Sequence, residues 1–218
     1  MHYVSFESSL FLATVIFMSV IFLHLVRKNT IAVWLYVLQS AAVAFLLLAF
    51  TFGEFSPLLL IATLATILVK LIVAPYFFFK LIREHQLKFS ASTYLGMPLT
   101  LLLIAALAAF AKLNYLTPLT TLVPAEQTFL FVSLATILSS LFLVINRKGA
   151  LSQMIGILSL ENGIVSFAFF AGLEQSAALQ LGISFDVLIW ILIATIFGSM
   201  MYRQFGSLDV SEMKKLIE

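Results

Sequence analysis

MIGILSLENGIVSFAFFAG, residues 154–172, is an apolar run of membrane-helix length with a single carboxylate, Glu161, near its middle. A charged side chain at bilayer depth costs roughly 2.5–3.5 kcal/mol on insertion scales, so it is kept where it has a partner or a task. Two more apolar runs carry such a charge, Lys70 and Asp186. The rest of the chain has the same character: 218 residues, 62% hydrophobic and 10% charged, with a mean hydropathy of +1.13. Soluble domains run at about a quarter charged. The composition therefore specifies an all-α polytopic membrane protein.

Windows of about 20 residues place seven transmembrane helices at roughly 6–26, 31–52, 57–82, 93–113, 126–146, 150–173 and 178–202. Gly53 with Pro57, Pro118 with Pro124, and Gly149 fall between them, where freed backbone groups can meet water. The loops are too short for a separate domain. Four segments follow: a three-helix unit at 1–88, a linking helix and loop at 89–125, a second three-helix unit at 126–204 and a tail at 205–218.

With this arrangement Arg27, Lys28, Lys80, Arg83, Lys88, Arg147, Lys148, Arg203, Lys214 and Lys215 share one face, against Lys112 alone on the other. The positive-inside rule then puts the N-terminus outside and the C-terminus in the cytoplasm of a cell (inner) membrane. The net charge of +2 marks a membrane face rather than a nucleic-acid patch. The first apolar run has no basic n-region or small-residue cleavage site ahead of it and reads as a retained helix. There are no cysteines, and His2, His24 and His85 lack metal-ligand spacing. The expectation is a chain without a cofactor or metal of its own, any redox centre lying in another subunit.

The two triplets share marks. Arg27-Lys28 and Arg147-Lys148 follow the first helix of each, Gln39 answers Glu161, and Lys70 answers Asp186. The pattern is that of a parallel duplication of a three-helix unit, or of two apolar triplets alike by composition.

Glu161 lies 13 residues before Glu174 and Asp186 lies 12 after it. At 1.5 Å per residue both come roughly 18–20 Å from the outer turn, near mid-membrane. They can share a level, where desolvation and like charge both favour a held proton. The pair reads as a proton relay or as permanently protonated structural acids. Lys70 lies in LVKLIVAP, with Pro75 removing the donor that would meet the carbonyl of Leu71. A buried lysine can exchange its proton or form a static ion pair with Glu161, Asp186 or a partner's acid. Gln39 and Asn162 read as interhelical glue before pathway. Gly156 and Gly163 give their helix a close-packing face. His24 reads as interfacial, and Glu7, Glu54, Glu126 and Glu174 as solvated ends. The aromatic residues are lipid and packing surface.

The segment Met154 to Gly163, then Gly182-Ile-Ser-Phe-Asp186, Phe205 to Val210, Leu38-Gln39-Ser40 and Lys70 to Pro75 together resemble the hydrogenase-4 component E family along nearly the whole chain. More distantly, the last three helices resemble subunit K of respiratory complex I and the small subunit of cation/proton antiporters. Those relatives carry two glutamates where this chain has Glu161 and, within a residue, the shorter Asp186. The resemblance implies a subunit of the pumping arm of a complex I-like nickel–iron hydrogenase of the formate hydrogenlyase type. Lys70, Glu161 and Asp186 would form its hydrophilic axis. The nickel–iron and iron–sulfur centres would lie in partner subunits, next to antiporter-like membrane subunits and a peripheral hydrogenase module. The tail from Leu208 to Glu218 would be a docking tail or a solvated end. Three other readings stay open: a subunit of a multisubunit antiporter, an independent secondary transporter, or a structural subunit whose charges pin helices to partners.

Overall fold

The computed structural model describes residues 5–54, 56–90, 92–112, 127–173 and 175–210. They form helices α1 (Phe6–Leu25), α2 (Asn29–Gly53), α3 (Pro57–Glu84), α4 (Met97–Ala111), α5 (Gln127–Asn146), α6 (Ala150–Phe170) and α7 (Ala177–Phe205), with no named strand among the described residues. Six of the seven are long and apolar enough to cross a membrane. The seventh, α4, has 15 residues, about 22 Å of helix against a ~30 Å hydrocarbon core. Helices apolar around their whole circumference suit burial in lipid and against each other.

Local signals explain the boundaries. Ser5 and Ser176 cap α1 and α7 by accepting from the amides of Ser8 and Leu179, and prolines occupy the first turns of α3 and α4. Gly206 ends α7 at φ +67°, a conformation that a side chain would strain. The expected start of the fourth helix at 93 moves to Met97, because the amides of Tyr94 and Leu95 donate instead to the carbonyl and the side chain of Asn146, each at 2.9 Å. Asn29–Gly53 and Ala177–Phe205 run longer than expected, and Ala150–Phe170 stops earlier.

α1 packs on α2 and α5, α2 on α6, and α3 on α7, while α5 and α6 form the closest pair. The close packing expected of helix 6 is present: a Cβ on Gly156 would lie 2.8 Å from Val144 Cγ2, and one on Gly163 would lie 3.1 Å from Ile137 Cγ1. Two apolar cores stack along the bundle. One includes Val33, Tyr36, Phe78, Leu81, Ile155 and Leu158; the other includes Ile16, Leu46, Phe129, Leu130 and Phe170. Along both α2 and α6 polar residues stand between the cores: Gln39 and Ser40 on one, Ser159, Glu161 and Asn162 on the other.

The end carrying the Arg-Lys corners is tied by short backbone pairings. Lys28 pairs with Phe89, Thr93 with Arg147 and Gly149 with Asp209. The tail therefore does not begin as a solvated end: Leu208 is buried, its carbonyl accepts from Ala150, and the Val210 amide donates to Lys148. Residues 211–218 lie outside the described residues, as do Glu126, Glu174, Pro118, Pro124, Lys214, Lys215 and His2.

Arg147 is 3% exposed. Its Nη2 donates to the carbonyls of Leu23, His24 and Val26 at 2.6, 2.9 and 2.8 Å, and its Nη1 donates to Ser90 Oγ at 3.0 Å. The guanidinium thus closes the C-terminal end of α1, where unpaired carbonyls favour a cation. Burial, and secondarily the charge of Arg27, push its pKa below the ordinary guanidinium value. His24, expected at the interface, is instead buried at 4% exposure, with Nε2 3.0 Å from the Ser139 carbonyl and its ring stacked on Phe142. α5, running parallel to α1, brings Ser139 and Phe142 against it.

Candidate functional site

Lys70 enters the polar layer from an irregular turn. Within α3 the stretch Val69–Val73 widens to a π-helical turn, and the Ala74 amide reaches back to the Val69 carbonyl. Pro75, which has no N–H to continue the α pattern, is the local cause. Such single wide turns inside long helices recur at functional sites. The donor missing at Pro75 thus shows as a change of helical width at Lys70 itself.

The Lys70 side chain is 3% exposed, and its Nζ lies 2.7 Å from Glu161 Oε1. The ammonium also donates to Asn162 Oδ1 at 2.9 Å. Asn162 in turn donates to Ser40 Oγ at 2.9 Å and to Gln39 Oε1 at 3.3 Å, and Gln39 Nε2 donates to the Ile16 carbonyl at 3.4 Å. Four helices thus meet at one cation and one anion. Glu161 Oε2 is buried and has no hydrogen-bond partner, while the side chain as a whole keeps 22% exposure. A carboxylate with one lone-pair face unoccupied retains acceptor capacity for a proton or a water.

Asp186 lies elsewhere. Thr63 bonds to Gln180 and Thr66 to Ser184, sequence separations of 117 and 118, so Lys70 stands level with Val187 or Leu188, next to Asp186 in height. The shared level expected for the acids is consistent with this register. Their meeting is not observed: Asp186 is exposed, on the face of α7 turned away from Lys70, and makes no ion pair with a described residue. Phe185, Ile189, Ile193, Ile196 and Met200 are exposed around and beyond it. Counting residues fixes height but not the azimuth at which α7 packs on α3.

Gln39 and Asn162 are both fully buried; Asn162 joins α6 to α2 and α3, as interhelical glue does, and is at the same time a direct partner of Lys70. His24 belongs to the Arg147 end, outside this network. Two hydroxyl pairs link α5 to α6, Ser133 with Ser166 at 3.1 Å and Ser140 with Ser159 at 3.0 Å. Sequence reasoning passed over the polar group formed by Thr51, Thr63, Thr66, Gln180 and Ser184. The signal was available as Thr63, Thr66 and Lys70 at i, i+3 and i+7 on one face of α3, matched by Gln180 and Ser184 one turn apart on α7. Among the described residues no group of three His, Asp or Glu side chains is arranged to hold a metal ion.

No family model matches the chain. No solved structure matches it. A stretch of 82 residues, 38% of the chain, is 33% identical to the uncharacterized protein Rv0085 of Mycobacterium tuberculosis (strain ATCC 25618 / H37Rv), of which it covers 37%. The chain thus spans little more than a third of that relative's length.

Proposed function

We propose that this chain is a non-redox membrane subunit of a complex I-like, membrane-bound hydrogenase of the formate hydrogenlyase type, and that Lys70 and Glu161 hold and pass a proton within its hydrophilic axis. The observation that carries the reading is the buried ion pair on a π turn, 2.7 Å across, between two apolar cores. A proton moving from Nζ to the carboxylate neutralises both partners at once. That makes the pair sensitive to any charge that changes nearby, because a buried ion pair is held against a large desolvation cost. Asn162 accepts from Nζ in either state and keeps the amine in place. Hydrogen chemistry and its nickel–iron and iron–sulfur centres belong to partner subunits.

Asp186 supports the same assignment differently. An exposed carboxylate at mid-membrane height is a poor neighbour for lipid, and α7 is the least enclosed of the long helices. A neighbouring antiporter-like subunit on this face extends the axis from Glu161 outward. The basic residues gathered at the Arg27, Arg83 and Arg147 end support a cytoplasmic position for that end under the positive-inside rule. α1 packs on α5, α2 on α6 and α3 on α7, so the two triplets lie side by side in the same order, which supports a parallel duplication of a three-helix unit.

A second reading has its own observation: Lys70 already has both an acid and an amide, as a purely structural clamp requires. Membranes carrying the intact complex with wild type or Glu161→Gln decide between them through electron-transfer turnover and the proton gradient formed per turnover. The proposal expects turnover to continue, at full or reduced rate, while the gradient collapses. An unchanged gradient in a fully assembled complex selects the structural clamp.

A further inference from the structure

One polar group lies outside the Lys70–Glu161 network and leads toward it. At the end of the bundle where α2 turns into α3 and α6 into α7, a cavity of about 580 Å³ opens between Glu54, Ser56, Gln175 and Ser176. The carbonyl of Gln175, on its wall, accepts from Gln180 Nε2 at 3.5 Å. Gln180 Oε1 accepts from Thr63 Oγ1 at 2.7 Å, and Thr63 Oγ1 lies 2.7 Å from Thr51 Oγ1. One turn deeper, Thr66 Oγ1 lies 2.6 Å from Ser184 Oγ. Lys70 is the next residue of α3 on this face, four positions and about 6 Å along the axis.

The proton inventory of these hydroxyls is short. Thr51 and Thr63 have one hydroxyl proton each, yet together they make three oxygen contacts: to the Leu47 carbonyl at 2.8 Å, to each other, and to Gln180 Oε1. Thr66 and Ser184 repeat the arrangement, with contacts to the Ala62 carbonyl at 3.0 Å, to each other, and to the Gln180 carbonyl at 2.7 Å. A hydroxyl donates one proton. Each pair therefore has two protons for three close contacts, and more than one way to place them. An additional proton fits at the contact left without one.

We infer that Thr51, Thr63, Gln180, Thr66 and Ser184 form a proton ladder joining the cavity to Lys70. The inference rests on the proposed proton-holding role of Lys70 and Glu161. A proton accepted on one hydroxyl oxygen is matched by release of that hydroxyl's own proton to the next hydroxyl or to a water, while the Gln180 amide orients Thr63 and takes up no proton itself, so no net bond is gained or lost. The hydroxyls then rotate back before the next transfer. Two steps have no direct contact, from the Thr51–Thr63 pair to the Thr66–Ser184 pair and from there to Nζ; each is about one helical turn, wide enough for a single water.

The experiment uses membranes carrying the intact complex, with proton gradient per electron-transfer turnover as the readout and assembly checked for each variant. Thr63→Val and Thr66→Val keep the side-chain volume and remove the hydroxyl; Thr63→Ser and Thr66→Ser keep it. The ladder expects the valine variants to lower the gradient formed per turnover about tenfold, the change that ~1.4 kcal/mol on a transfer barrier produces, and the serine variants to restore it. If the valine variants fail to assemble, Ser184→Ala decides by the same readout. A wild-type gradient in assembled valine variants, or in Ser184→Ala where those do not assemble, overturns the ladder. If Glu161→Gln still collapses the gradient in that case, the proposed function survives. If Glu161→Gln is also silent, both fail together.

Discussion

The Lys70–Glu161 contact can be tested as an energy before any transport assay. At 2.7 Å and an effective dielectric of ~20, direct attraction is about 6 kcal/mol, largely offset by several kcal/mol of desolvation for each ion. Removing one partner exposes the desolvation cost of the other. Lys70→Met keeps the apolar stem but leaves Glu161 in a layer with no other cation, and should destabilise the fold by about 3–5 kcal/mol. Glu161→Gln leaves Lys70 an amide oxygen and its bond to Asn162, so a cost of about 1–3 kcal/mol is expected. The double variant buries two neutral groups of nearly unchanged volume and should sit within about 2 kcal/mol of wild type. The coupling energy of the cycle is then roughly 2 kcal/mol or more. A denaturant titration in mixed micelles, followed by the fluorescence of Trp34 and Trp190, measures all four species. Additive single changes, with a coupling under about 0.5 kcal/mol, would refute the buried ion pair and the mechanism built on it.

Three further outcomes are expected. Gly156→Ala places a methyl 2.8 Å from Val144 Cγ2 and should cost about 1–3 kcal/mol through overpacking of α5 on α6; Gly182→Ala, with nothing within 4 Å, should be neutral or stabilising by up to ~1 kcal/mol through helix propensity, in the same titration. Arg147→Met removes the guanidinium that holds three carbonyls of the α1 terminus and should destabilise by about 3 kcal/mol or more, with Arg147→Lys recovering only part because an ammonium cannot reproduce the fork; thermal unfolding in detergent checks this. The chain has no cysteine, so Gln86→Cys and Ser56→Cys can be labelled singly with an impermeant maleimide: Gln86→Cys should react from the cytoplasmic side and Ser56→Cys from the outside, and the reverse pattern overturns the orientation.

Each kind of information reached a definite depth. Lys70 and Glu161 stood out in the linear chain because a charge in an apolar run is costly wherever the helix packs, and Pro75 announced an irregular turn because it has no N–H. The approximate bounds of the six long helices followed from the same apolar runs, while the start of α4 depended on Asn146, 51 residues from Leu95. Which charges meet was decided by packing. The azimuth of α7 turns Asp186 outward while bringing Ser184 and Gln180 onto α3. The packing of α5 parallel to α1 buries His24 and converts Arg147 from a face marker into a cap. Apolar periodicity is silent on these points because helices apolar on every side carry no amphipathic stripe to orient them. In such a chain orientation is set by close approach at glycines and by hydrogen bonds between neighbouring helices, and those exist only once the helices are assembled.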